Sequence, residues 1–138
     1  MKYFITQELV DQKTYEKMGE DALSLFHPNI LIALDDLRSF FNASISINDW
    51  FLGGKSQWRG YRSSDCPIGA KNSQHRKGNA FDCTIKGRSA EETRAEILAH
   101  QDNELLIHIM RMEDKVSWLH IDGGTPPPGK SRIYLFQP

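Results

Sequence analysis

Two short blocks of the chain carry the residue types that hold a divalent metal. Ser73-Gln74-His75-Arg76-Lys77-Gly78-Asn79-Ala80-Phe81-Asp82 supplies an imidazole and a carboxylate, and Trp118-Leu119-His120-Ile121-Asp122 supplies a second imidazole with another carboxylate two residues on. Two imidazoles and one carboxylate at ~2.0–2.2 Å form the open donor set of a hydrolytic zinc, in which the fourth position is left to a water that the metal acidifies. The spacing therefore predicts one mononuclear centre of His75, Asp82 and His120, with hydrolysis of a peptide or amide as its chemistry. The same donors accept other divalent ions, so zinc is favoured by that chemistry and not by the donors alone.

The pattern Ser-x-His-x-x-Gly-x-Ala-x-Asp, then Trp-x-His-x-Asp, resembles the zinc D-alanyl-D-alanine carboxypeptidase and L-alanyl-D-glutamate endopeptidase family, which has the Hedgehog/DD-peptidase fold. Gly60-Tyr61-Arg62-Ser63 and Gly69-Ala70-Lys71-Asn72 extend the similarity, which runs from Gln57 to Gly123, about half the chain. The resemblance implies one Zn2+ per chain and a metallopeptidase that cuts the stem or cross-link of bacterial peptidoglycan, in the manner of a phage or prophage endolysin. Arg62 matches an arginine that faces the substrate and stabilises its carboxylate or the scissile carbonyl oxygen, tasks that suit a planar fork. Ser73 either hydrogen-bonds substrate or caps its own loop. Asp122 is the best placed partner for the second ring nitrogen of His120, which a ligating imidazole needs held.

Hydrolysis also requires a group that takes a proton from water and returns it to the leaving amine. Here the chain departs from the dipeptidase and carboxypeptidase branches, which carry a Glu three residues before the last His ligand; Ser117 stands in that place. Hedgehog-type members set the acid further upstream, which makes Glu113 the expected base and Asp114 its understudy. An exposed acidic turn with Lys115 is the competing reading of that pair. Ser117 also supports an alternative function, a non-catalytic zinc-stabilised binding or virion structural module of the same fold.

A chain of 138 residues fits a single domain, residues 1–138, with one core. At 39% hydrophobic, 25% charged and net charge −1, it has no global attraction for nucleic acid or an acidic membrane, so its partner must be read from the site. The apolar run at Met1-Lys2-Tyr3-Phe4-Ile5 breaks at once, which leaves neither a secretory h-region nor a spanning segment of ~20 residues. The expectation is a monomer made in the cytoplasm, without membrane insertion, that acts on the cell wall after release. Cys66 and Cys83 are too few for a disulfide framework and are expected as thiols, although their places beside the two motif blocks would allow a bridge outside the cytosol.

The elements that must position these residues are legible in part. Apolar spacing predicts helices from Glu8 to Glu16 and from Pro28 to Asn42, with Pro28 in the first turn. A third runs from Ala90 to His100 behind the capping box Ser89/Glu92. Strands are expected at Ile45–Ile47, Ala80–Ile85, Ser117–Ile121 and Ile133–Phe136, while Leu105 to Met112 fits a helix or a strand. The sum is an α+β domain, helices packed on a small, mostly antiparallel sheet. On the last-ligand strand, His120 and Asp122 share one face with Trp118, and Leu119 and Ile121 turn to the buried one. Gly78 lets the chain turn so that His75 and Asp82 converge. Gly123 to Gly129, rich in Pro, reads as a cleft rim or a surface turn. His27, His100 and His108 lie outside any motif. Trp50, Trp58 and Trp118 suit a groove or the core, and Lys71, Arg76, Lys77, Lys86 and Arg88 give the metal strand a basic surround.

Overall fold

A computed structural model describes residues 1–138. Three α-helices, α1 (Gln12–Met18), α2 (Pro28–Phe41) and α3 (Ala90–Ala99), accompany five strands: β1 (Ile45–Ser46), β2 (Ala80–Ile85), β3 (Arg111–Glu113), β4 (Leu119–Asp122) and β5 (Tyr134–Phe136). The strands form one sheet in the order β1-β2-β4-β3-β5. All neighbours are antiparallel except β3 and β5, which run parallel. The α+β architecture with a mostly antiparallel sheet is the one the sequence predicts.

The N-terminal helix departs from expectation. A 3-10 turn occupies Thr6–Glu8, and α1 begins only after Asp11, whose carboxylate accepts the backbone N–H of Thr14 at 3.0 Å. Leu9 and Val10, between the two, are wholly buried, so core packing overrides the helical pattern there. Elsewhere the local signals hold. Pro28 opens α2, and Asn42 closes it in the left-handed region at φ 47°. The box of Ser89 and Glu92 opens α3. The ambiguous stretch resolves into both halves of its ambiguity, a 3-10 turn at Glu104–Leu106 and then β3.

One face of the sheet makes the core and the other makes the site. Phe81, Met112, Leu119 and Ile121 are buried completely or nearly so, packed with Leu34 and Leu37 of α2 and Ile97 of α3. Each contributes about 1.5–3 kcal/mol through burial. Because strand side chains alternate, Asp82, Arg111, His120 and Asp122 must then share the opposite face. The registers align them, with Asp82 facing His120, and Arg111 and Ala80 both facing Asp122. Glu113, two residues on from Arg111 in β3, follows on that face and borders the same cleft as His120.

Candidate metal centre

His75 sits in a 3-10 turn, Gln74–Lys77, that ends at Gly78 with φ 66°. A Cβ at Gly78 would lie 1.9 Å from the Leu25 carbonyl oxygen, so no other residue fits this turn without displacing the backbone. Ser73 caps the turn, its Oγ accepting the His75 N–H at 3.2 Å. The ring is held from the far side, where Nδ1 lies 2.9 Å from the carbonyl oxygen of Gly60. That carbonyl comes close only because Gly60 presses on the Leu9 backbone, where a Cβ would meet the Leu9 oxygen at 2.0 Å.

The turn brings His75 Nε2 to 3.2 Å from Asp82 Oδ1, and β-pairing brings His120 Nδ1 to 2.9 Å from the same oxygen. All three residues are buried, and one donor atom from each lies within 4.8 Å of the others. The other nitrogen of His120, Nε2, is 2.8 Å from Asp122 Oδ2. Asp122 is 0% exposed, and Arg111 grips it with a two-pronged contact, Nε to Oδ1 at 2.8 Å and Nη2 to Oδ2 at 2.9 Å. The Gly124 N–H adds a third donor. Arg111 in turn lies over the Phe136 ring at 4.5 Å, and Phe136 meets the His120 ring edge-on at 5.5 Å. Neither Arg111 nor Phe136 belongs to a motif block, so the sequence carries no local signal for either.

This donor set fits a zinc ion. Two imidazoles present one nitrogen each to the carboxylate oxygen, and each has its remaining nitrogen fixed by an acceptor, which sets both ring orientation and tautomer. The charges agree. Burial works to raise the Asp82 carboxyl, but hydrogen bonds from His120 and His75 outweigh it and hold the group well below the usual carboxylate range. Burial opposes the charged form of His120, yet the contacts with Asp122 and Asp82 prevail and push its pKa up to about 9. Asp122 is likewise lowered against the effect of its burial, by His120 and Arg111. The His120 imidazole is thus favoured as its cation between the carboxylates of Asp82 and Asp122.

The ligands open onto a cleft of about 480 Å³ whose walls include Arg62, Ser73, Glu113, Trp118 and Phe136. Arg62 donates through Nε to the Trp58 carbonyl at 2.8 Å and through Nη2 to Asp82 Oδ2 at 3.2 Å. Asp114, the next residue after Glu113, turns to the other side of the sheet, where Oδ1 is 3.6 Å from Nε of the buried Arg94 on α3. Strand alternation separates the two acids. Ser117 is exposed and lines a neighbouring depression. The segment from Gly123 makes no rim of this cleft, and Gly123, Gly124 and Thr125 line a separate hollow with His27 and His108. His100 lies against Phe40 instead, with the rings tilted at 59°. Trp50 packs against Tyr15 of α1, and its indole N–H donates to the carbonyl of Val10, just ahead of that helix, at 2.8 Å. Of the basic surround, Arg76 has a definite task. Its guanidinium donates to the carbonyls of Ser63, Cys66, Ile68 and Ala70 and so fixes the loop that walls the cleft. Cys66 and Cys83 are both free, buried thiols, and burial pushes Cys83 well up.

A family model described as Peptidase M15 matches residues 2–122. The chain belongs to this peptidase family. Its members are zinc-dependent, and the His75, Asp82 and His120 set lies within the matched segment. The match also reaches well upstream of the motif blocks, taking in the helices that back the sheet. No curated protein and no solved structure matches the chain significantly. No helix is long and apolar enough to cross a membrane.

Proposed function

We propose that this peptidase cleaves a peptide bond in the stem or cross-link of bacterial peptidoglycan, with His75, Asp82 and His120 holding one zinc. The observation that carries the reading is the buried His75, Asp82 and His120 set at the foot of a cleft that also contains a carboxylate, Glu113, and a guanidinium, Arg62. A bound zinc supplies acidification of a water molecule and polarisation of the scissile carbonyl. Glu113 receives the proton of the attacking water on its carboxylate and delivers it to the leaving amine nitrogen. Its place at the end of β3, on the wall of the cleft that holds the ligands, suits that transfer. Arg62 uses Nε and Nη2 to brace the Trp58 carbonyl and Asp82, which leaves Nη1 of its fork for the oxygen on which negative charge develops. Asp122 and Arg111 keep the His120 ring in one orientation throughout. Ser73 serves first as the cap of the ligand turn and offers its hydroxyl to substrate from the cleft wall.

The test is release of peptides from purified peptidoglycan, read by mass spectrometry, with zinc-loaded protein beside its chelated form. Zinc-dependent release with defined new termini supports the reading and names the bond. One equivalent of bound zinc with no cleavage of peptidoglycan or stem peptides would instead favour the binding or virion module. Substitution His75→Ala is expected to remove the metal on either account, and cleavage with it on the first.

A further inference from the structure

The metal cleft does not end at the ligands. A second depression, of about 530 Å³, adjoins it, and the two share Arg62, Ile68, Asp82 and Trp118 as common walls. Asp82 and Arg62 therefore stand at a waist between two lobes and not at the bottom of a pocket. The far lobe is walled by Lys55, Gln57, Trp58, Arg59, Thr84 and Ser117. It is also tied to the centre, because the Asp82 N–H donates to the Arg59 carbonyl at 2.8 Å. The Arg59 guanidinium is anchored, with Nη1 on the Ile47 carbonyl and Nη2 on Thr84 Oγ1 at 2.9 Å.

We infer that the substrate chain passes through the waist with residues on both sides of the cut bond, so that the protein is an endopeptidase with a second, cationic subsite in the far lobe. This inference rests on the peptidase reading above. An exopeptidase closes its cleft within about a residue of the scissile bond, ~3.3 Å on, and holds the free terminus there. In this protein the guanidinium nearest the ligands is Arg62, and it lies at the waist, braced on Asp82 itself. With Nε and Nη2 engaged, its remaining Nη1 is placed beside the ligands, at the bond to be cut. Beyond it the surface continues, and an extended chain at ~3.3 Å per residue has several residues to place in each lobe. Lys55 and Arg59 give the far lobe two positive charges without an acidic wall residue other than Asp82, and Trp58 and Trp118, the latter 37% exposed, give it apolar floor. The chemistry matches a peptide stretch that bears carboxylate side groups.

Two stem peptides of one sequence test this, one with free termini and one capped as N-acetyl and C-amide, offered to the zinc-loaded protein. An internal cut predicts kcat/KM values within about threefold of each other. An exopeptidase loses a charge-assisted contact on capping and falls by about 10- to 100-fold or more. That fall would overturn the inference while leaving the peptidase reading intact; no cleavage of either peptide by protein that holds zinc would overturn both. The exposed Lys55 provides a second measurement, since Lys55→Glu is expected to raise KM for carboxylate-bearing peptides severalfold with kcat and zinc affinity unchanged. Unchanged KM would remove the cationic subsite from the proposal.

Discussion

Arg111→Ala is the most demanding perturbation of the centre, because its effect reaches the metal only through a second residue. The wild-type guanidinium makes two charge-assisted bonds, 2.8 and 2.9 Å, to a carboxylate that is 0% exposed. Removing one partner of such a buried pair costs about 3–5 kcal/mol, because the other charge is left without its counterpart. Asp122 keeps His120 and the Gly124 N–H, and Arg111 is itself partly exposed, so the lower half of that range, about 3 kcal/mol, is expected. For a chain of this size that corresponds to roughly a 10 °C fall in melting temperature. Zinc affinity should also fall, by about 10- to 100-fold, as an Asp122 carboxylate without the Arg111 fork holds the His120 ring less firmly. Arg111→Lys keeps the charge but not the fork and is expected to recover only part of both losses. Urea unfolding of the chelated protein and competition for zinc against a chromophoric chelator read the two effects separately. A variant within about 1 kcal/mol of wild type, with unaltered zinc affinity, would refute the account of Arg111 as the residue that positions Asp122.

Four further outcomes are expected. Glu113→Gln should bind one zinc with unchanged affinity and lose about 10²–10⁴-fold in kcat; full activity would remove Glu113 from the role of base. Since the His120 pKa of the metal-free centre is raised to about 9, the ring is protonated at neutral pH and must release that proton to ligate. Zinc affinity should accordingly rise about tenfold per pH unit up to about pH 9, by calorimetry in buffers of different ionisation enthalpy, and a flat profile would contradict the shift. For the chelated protein the sign of the stability effect is reversed. A raised pKa stabilises the fold fully below the ordinary value of 6.5, and the contribution is lost as pH rises through about 9, which urea midpoints across that window would report. Arg76→Ala frees the carbonyls of Ser63, Cys66, Ile68 and Ala70 and should raise KM by about tenfold through a loosened cleft wall, with the zinc stoichiometry unaltered in the same preparation.

The sequence alone carried whatever is written in local signals. The alternation at Leu119–Asp122 already divides core from site, the capping box at Ser89 opens α3 and Gly78 marks the turn that delivers His75. The motif blocks name the three donors because ligand chemistry restricts residue type as well as spacing. The segment from Glu8 to Glu16 misleads for a physical reason, since its apolar period suits a helix while the burial of Leu9 and Val10 requires a break. What only the tertiary structure decided is pairing between segments distant along the chain. Arg111 acquires its role through the β3–β4 register that sets it on Asp122, and the same register separates Glu113, in the metal cleft, from Asp114, drawn to Arg94. Likewise the two lobes exist because the loop from Ser63 to Ala70 is folded against Arg62 and pinned by Arg76. Side-chain type is a property of a position; which side chains face one another is set by packing the whole sheet.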